Sequence, residues 1–359
     1  MTGFVTNKKA LLKALALPSQ VSKKNNIKSM KGVCSFIISN GYVSVTGTNI
    51  NCTVKTQILG AVTFGNYRAA FDSLMFQRYI KTLGNGSIEV VFDTPSSMSV
   101  RCGSTRVSFD TVFVEDFTEP SGKALAEVIL EPSHLEAIKN KLLHSMPEYD
   151  VRYYLNGMYF HSVENVLTLV TTDGHRLSKY NTELPNASVI QKIIHHDVVK
   201  LLCKVTQNRT TFEFYETKIV IHNGETTIIS TPIEGKYPDY KRVIKNDFPN
   251  NIMVDCEVLQ NGLNQLKVFH DKKQNGVKVE LIKDDKLKLS YEEKEVFLVC
   301  KSASKNKENW FGVNIEYLLD AVSSLSDKNI TIGFTNSQSI IGLKQHDANF
   351  DVFVMPVRL

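Results

Sequence analysis

The sequence predicts an α+β protein built from three copies of one unit, each using a helix-plus-antiparallel-strands motif twice. Three observations carry this. Leu11, Leu135 and Leu259 sit in three amphipathic segments at a constant step of 124 residues. A strand pair with period-two alternation follows each segment. A second amphipathic segment then opens the other half of each unit. A fixed period sustained over the whole length is the mark of an internal repeat.

The first third opens with a helix near Lys8–Leu17, its apolar face made of Leu11, Leu12 and Leu15. Cys34–Ser39 and Tyr42–Gly47 alternate around an Asn40-Gly41 turn, a hairpin signal. A second helix is expected near Ala69–Leu83, then strands Ile88–Phe92, Met98–Cys102 and Arg106–Phe109. The middle third opens with a helix near His134–Ser145, with Leu135, Ile138 and Leu142 on one face. It starts on Ser133-His134-Leu135-Glu136, a capping-box pattern. Gly157–Phe160 and Val166–Thr172 follow, turning near Glu164-Asn165. A helix near Asp197–Thr206 carries Val198, Leu201, Leu202 and Val205 at helical spacing. Strands Thr211–Tyr215, Ile219–His222 and Thr226–Pro232 close the unit.

The last third repeats the order. Its first helix is expected near Glu257–Val268, with Leu259, Leu263 and Leu266. Val277, Val279 and Leu281 alternate, Asp284-Asp285 turns the chain, and Leu287 and Leu289 resume the pattern. Asn314 is a good N-cap for a helix near Ile315–Leu325 bearing Ile315, Leu318, Leu319 and Val322. Strands Ile330–Phe334, Ser339–Leu343 and Phe350–Pro356 complete it. Pro and charge accumulate near Asp116–Gly122 and Lys245–Asn251. The expected domains are therefore 1–121, 122–247 and 248–359, their strands forming continuous sheets with helices on one face.

Composition fits. At 359 residues, 42% apolar and 22% charged, the chain is long enough for two to three domains and too apolar for disorder. No apolar run approaches the ~18–20 residues of a membrane span. The Lys8–Leu15 segment resembles a signal peptide only until Lys13 interrupts it, so an amphipathic helix is the expectation. Cys34, Cys52, Cys102, Cys203, Cys256 and Cys300 are scattered, with no Cys-x-x-Cys. Free thiols in a reducing compartment, rather than a disulfide frame or a zinc site, follow from that spacing.

The net charge of +5, from 42 basic and 37 acidic residues, matters less than its placement. Helical segments carry Lys8, Lys9 and Lys13; Arg68, Arg78 and Lys81; Lys139 and Lys141; Lys200 and Lys204; and Lys267. The last helix departs, with Glu316 and Asp320. If equivalent helices line one side of a repeat array, these cations form a single basic surface. Such a surface suits a phosphate backbone without reading bases.

Thr171-Thr172-Asp173-Gly174-His175-Arg176-Leu177 is the densest polar cluster. Asp173 and His175 offer an acid–base or metal pair, or a plain Asp-Gly turn with its charges in water. No nucleophile motif, phosphate loop or dinucleotide fingerprint accompanies them. His195-His196 is expected to be exposed, its rings pointing apart. Tyr153 and Tyr154, next to Arg152, suit stacking on nucleotides or packing on neighbouring strands equally. The apolar terminal segment Phe353–Leu359 must pack somewhere, as a core strand or a groove wall.

Four segments together resemble one family. Arg152-Tyr153-Tyr154-Leu155-Asn156-Gly157-Met158 and Thr172–Leu177 look like signature segments of the bacterial DNA polymerase III beta subunit, the replicative sliding clamp. So do Gly235-Lys236-Tyr237-Pro238-Asp239-Tyr240-Lys241-Arg242-Val243 and Val354-Met355-Pro356-Val357-Arg358-Leu359. Thr46-Gly47-Thr48-Asn49 fits a weaker family pattern that usually ends in Asp. The resemblance covers the full length.

It implies three clamp domains per chain and a head-to-tail homodimer. Helices line the hole of the ring, sheets form the outer wall, and duplex DNA passes through without sequence specificity. It implies a cytoplasmic, non-catalytic processivity factor of DNA replication. The implied partners are the replicative polymerase, the clamp loader and other proteins bearing a clamp-binding motif; no membrane or cofactor is implied. A peptide groove is implied at Leu155, Thr172, Gly174, His175, Arg176, Leu177, Pro238, Arg242 and Val243. Its other side is Asn314, Tyr317, Val354, Met355, Pro356, Val357, Arg358 and Leu359. DNA contact falls to Lys9, Lys13, Lys23, Lys24, Arg78, Lys81, Lys139, Lys141, Tyr149, Arg152, Tyr153, Tyr154, Lys200 and Lys204. The dimer contact falls to Val107 and Phe109 on one side, and Val268 and Phe269 on the other.

There are departures. Asn26-Ile27-Lys28-Ser29-Met30-Lys31 stands where the family has a Pro-containing apolar segment, and the positive net charge contrasts with the family's common acidity. The first domain is the most diverged part. Two alternative readings stand beside the clamp. One is a clamp-like hub for repair or mobile-element replication proteins. The other is a metal-dependent nucleic-acid enzyme using Asp173 and His175.

Overall fold

A computed structural model describes residues 2–25, 31–114, 120, 122–184, 189–270, 276–282, 285–304, 309–346 and 349–359. Asn26–Met30, Asp284 and most of the Asp116–Gly122 linker lie outside the described residues.

The α-helices are α1 (Lys8–Lys23), α2 (Ser73–Thr82), α3 (Pro132–Ala137), α4 (His196–Leu202), α5 (Cys256–Lys267) and α6 (Ile315–Ser323). Asn7, Asp72, Asp255 and Asn314 cap α1, α2, α5 and α6 through a side-chain oxygen that accepts from backbone N–H groups of the first turn. Asp72 corrects the sequence reading. Its Oδ1 accepts from Leu74 N at 2.9 Å and Met75 N at 3.0 Å, so α2 starts there. Tyr67–Asp72 is a strand paired with Val33–Ile38. α1 runs past Pro18 to Lys23. A Cβ on Gly47 would lie 2.1 Å from the Pro18 carbonyl oxygen, so this turn of the helix packs directly on the strand backbone. That contact offsets the hydrogen bond the proline cannot make. The expected His134–Ser145 helix is α only to Ala137; Ile138–Leu142 widens into a π turn and Leu143–Ser145 tightens to 3-10.

Met1–Ser133 with Asp197–Pro232 forms one compact unit, and His134–His196 with Ile233–Leu359 the other. The first holds a five-stranded sheet in the order 62–64, 2–7, 87–94, 97–102, 105–110. It also holds an eight-stranded sheet in the order 126–130, 210–214, 219–223, 226–230, 52–57, 42–48, 33–39, 67–72. Phe4, Phe36, Phe71, Phe76, Leu11 and Leu15 are buried in its core. Phe36 stacks on Phe71 at 4.3 Å and meets Phe76 edge-on at 5.5 Å.

The second unit holds a nine-stranded sheet in the order 190–195, 157–163, 166–172, 176–183, 350–354, 341–344, 329–334, 250–255, 301–304. A four-stranded sheet runs 294–299, 286–291, 276–282, 310–314. All the pairings described are antiparallel. Two of them join thirds of the chain: Thr226–Ser230 with Cys52–Thr56, and Arg176–Tyr180 with Phe350–Val354. The sheets are thus continuous across the repeat. The six cysteines are free thiols, and burial pushes Cys52 up to about 12.

Candidate binding groove and basic helices

The polar cluster at 172–176 folds into a tight turn that its own side chains hold. Asp173 Oδ1 accepts from His175 N and Arg176 N, both at 2.9 Å. Thr172 Oγ1 accepts from Gly174 N at 3.0 Å and donates to Arg176 O at 2.6 Å. Gly174 sits at φ +84, and a Cβ there would lie 2.6 Å from the Arg152 guanidinium. The left-handed backbone of the turn therefore favours a glycine. Arg176, with a side chain only 14% exposed, pairs with Asp173 Oδ2 at 3.0 Å and Asp320 Oδ2 at 2.5 Å. Its guanidinium lies 4.3 Å over the Tyr317 ring. Asp173 is thus taken up by the turn and Arg176, which speaks for a structural role over an acid–base one.

This turn is one end of a cavity of about 260 Å³. Of the residues implied for the groove, Leu155, Thr172, Gly174, His175, Arg176, Leu177, Pro238, Val243 and Met355 line it. Arg152, Tyr154, Asp239, Tyr240, Ile340 and Phe353 line it too; the sequence reading gave the first two to DNA and missed the rest for this site. Arg242 is exposed and donates from Nε to Asp239 Oδ2 at 3.0 Å. Asn314 is committed to capping α6. Val354 is a buried strand residue opposite Arg176.

The last residues are tied down one by one. Met355 N donates to His175 O at 2.7 Å, and Val357 N to Gly312 O at 2.9 Å. Pro356 bridges Val313. The Leu359 side chain covers Gly276 and Gly312, while Arg358 is exposed. Behind the floor, Tyr237 stacks on Tyr159 at 4.7 Å, and the Tyr240 hydroxyl and His161 Nδ1 share a hydrogen bond at 3.0 Å. At the rim, Arg152 donates to Asp150 Oδ1 and Oδ2 at 3.0 and 2.8 Å, and to Asp173 O at 2.8 Å. Those bonds hold the Asp150 carboxyl down at about 2.

The cations implied for DNA divide by partner. In the first unit Lys9, Lys13, Lys23, Lys24, Arg78, Lys81 and Lys204 are exposed, and Lys200 is half-buried. Lys13 pairs with Glu225, Lys24 with Asp197, and Lys204 Nζ donates to Gln20 Oε1 at 2.5 Å. In the second unit Lys139 is exposed, whereas the half-buried Lys141 lies 5.1 Å over the Phe350 ring. Tyr149 is 87% and Tyr153 59% exposed. His196 is buried, against expectation. Its N–H donates to Asn156 O at 3.0 Å, and its ring lies 4.4 Å from that of His195 and edge-on to Tyr149. The turn from strand into α4 therefore leaves the two rings side by side.

Two family models match the sequence: "DNA polymerase III beta subunit, central domain" over residues 130–239, and "DNA polymerase III beta subunit, C-terminal domain" over 241–358. The chain belongs to the DNA polymerase III beta subunit family. The beta sliding clamp of Salmonella typhimurium is 25% identical over 333 residues, covering 90% of each chain. That of Proteus mirabilis is 25% identical over 375 residues, covering 99% of this chain and 100% of the other. The crystal structure of the DNA polymerase III subunit beta from Pseudomonas aeruginosa matches with a TM-score of 0.91 at 22% identity, over 99% of this chain and 100% of that one. The Bartonella birtlesii sliding clamp, crystallised with griselimycin, gives 0.91 at 23% identity over 100% of each chain. The fold is that of the beta subunit, with three repeated clamp domains.

The residues implied for the dimer contact are unequal. Val268 and Phe269, just past α5, are 80% and 55% exposed. Val107 is half-buried on the edge strand 105–110. Phe109 is buried against Phe76 and Tyr79, 5.3 and 5.4 Å away, so its ring serves its own core. Phe297 and Val299, which the sequence reading did not single out, are apolar and 55% and 77% exposed on the edge strand 294–299. Their signal was an apolar run occupying both faces of one strand.

One half-buried group gives the chain a pH dependence. His144 shares a hydrogen bond with Ser178 Oγ at 3.1 Å. Burial, with Arg176 adding to it, holds the imidazole down at about 4. The unfolded chain takes up this proton near pH 6.5, the folded one only near 4, so stability falls as pH drops through that window. The loss amounts to ~3 kcal/mol once pH is below both values. His144→Gln keeps a partner for Ser178 and removes the titration. Its unfolding midpoint is expected to fall less than the wild type's between pH 7.5 and 4.5; equal losses would show that His144 does not carry the effect.

Proposed function

We propose that the chain is a DNA sliding clamp, a non-catalytic processivity factor that encircles duplex DNA and tethers the replicative polymerase through its groove. The observation that carries this is the cavity built on the 172–177 turn and closed by the terminal segment, apolar within and rimmed by charge. A site of that kind takes short peptides with apolar anchors. The groove residues implied by the resemblance bind such a motif in the polymerase, the clamp loader and other partners. Arg152, Tyr154, Asp239, Tyr240, Ile340 and Phe353 join them.

In this reading two chains close head to tail into a cytoplasmic ring. The reading takes domains 1–121, 122–247 and 248–359; separate family matches to residues 130–239 and 241–358 support a division of the last two thirds of the chain. Val107, with Phe109 holding its strand in place, meets Val268 and Phe269 of a second copy, and Phe297 and Val299 widen the contact. The lysines and arginines of α1, α2, α4 and the segment after α3, together with the Tyr149–Tyr154 loop, meet the phosphates. Such contacts retain the ring without anchoring it to a sequence. No helix among the described residues is long and apolar enough to cross a membrane.

The test is retention. Loaded on nicked circular DNA, the protein should stay bound through gel filtration and be lost when the circle is cut. Val268→Asp with Phe269→Asp should run at half the wild-type mass and leave circular DNA as fast as linear. Equal retention of the wild type on circular and linear DNA would overturn the topological mechanism.

A further inference from the structure

Lys13 in α1 and Lys24 just past its end differ in what holds them. Lys24 pairs at 2.8 Å with Asp197, a carboxylate only 10% exposed. Asp197 also accepts from Asn51 Nδ2 at 2.9 Å. Releasing Lys24 would strip a shielded carboxylate of its cation, so this pair ties the fold together. Lys13 is 71% exposed, and its Nζ lies 3.0 Å from Glu225 Oε1.

Glu225 is held where it stands. It belongs to the Gly224-Glu225 turn between strands 219–223 and 226–230, with Gly224 at φ +54. Its carbonyl accepts from Gln57 N at 2.9 Å, fixing the turn against the next strand. Its own N–H and Lys13 keep the carboxyl ionised, below the usual range. The carboxylate borders a recess of about 690 Å³ that Lys9, Lys13 and Lys204 also border. A fixed oxygen anion at hydrogen-bond distance from an exposed ammonium, in a recess bordered by three lysines, occupies the place a phosphate oxygen would take. An ion pair so exposed is worth little, so exchanging it for a phosphate is close to neutral.

We propose that Glu225 is a built-in competitor for the DNA phosphate at Lys13, keeping that lysine from gripping the duplex. The proposal rests on the reading of α1 as a DNA-facing helix. With Glu225 in place, Lys13 hands itself between its own carboxylate and passing phosphates, which favours sliding over holding. Without it, Lys13 becomes a full phosphate contact.

The experiment is anisotropy titration of a short labelled duplex with full-length wild type, Glu225→Gln, Lys13→Ala and the double variant, over a series of salt concentrations. Glu225→Gln is expected to bind about threefold tighter at low salt. Its plot of log affinity against log salt should steepen by about 0.9, one more phosphate contact. The double variant should lose the gain and bind as Lys13→Ala does. Salt-dependent binding that Glu225→Gln leaves unchanged, or a gain that survives in the double variant, would overturn the competitor and leave the DNA reading standing. Absence of salt-dependent binding by both wild type and Glu225→Gln would overturn both.

Discussion

Deleting residues 355–359 should abolish binding of a peptide of the Gln-Leu-x-Leu-Phe type, lowering affinity by at least a hundredfold in an anisotropy titration. The deletion removes Met355 from the groove wall, the bond from Met355 N to His175 O, and the Leu359 side chain that covers Gly276 and Gly312. A hot-spot anchor alone is worth ~2 kcal/mol or more, and here the wall goes with it. Leu359 also seals part of the four-stranded sheet, so the deletion could act through stability. Met355→Ala separates the two. It keeps every backbone bond and should still cost roughly tenfold in affinity with an unchanged unfolding midpoint. Wild-type affinity in both variants would mean that the peptide binds elsewhere.

Phe36→Ala should destabilise the first unit by about 4 kcal/mol. The ring is fully buried, stacked on Phe71 and packed against Phe4 and Phe76. Its removal leaves a hole between rigid rings that cannot close by rotamer changes alone, so the cavity cost adds to the lost burial. Tyr42→Ala is the control: that ring is 64% exposed on the neighbouring strand and should change stability by no more than ~0.5 kcal/mol. Urea unfolding followed by near-ultraviolet signals measures both. A Phe36→Ala loss no larger than that of Tyr42→Ala would refute the rigid aromatic core.

The repeat and its strands were legible because period-two alternation and the three leucine-centred helices are local signals. Helix ends were legible only where the cap was recognised. Asn314 was, and α6 begins after it; Asp72 was not, and four strand residues were read as helix. Pro18 misled in the other direction, since its close packing on Gly47 is a tertiary fact. The break of the Ile138 segment into π and 3-10 turns has no signature in its spacing. The groove was legible only through the family resemblance. Its walls come from segments near 152–155, 172–177, 238–243, 340 and 353–355, and no local pattern joins them. Tyr240 and Phe353 fall in segments that the sequence singled out, and Ile340 in an expected strand, but none of the three was assigned to the groove. Phe109 shows the reverse: an apolar residue on an edge strand looks like a contact, but alternation turned it inward.

The pairing of Arg176–Tyr180 with Phe350–Val354, and of Thr226–Ser230 with Cys52–Thr56, has a consequence for how separable the thirds are. Each junction is a row of backbone hydrogen bonds between strands far apart in sequence. Excising one third would leave its former neighbour with a bare edge, donors and acceptors unpaired and apolar side chains beside them. Such an edge recruits whatever strand it meets, including copies of itself. The thirds are alike in plan but not interchangeable modules, and the chain can lengthen or shorten only in its turns.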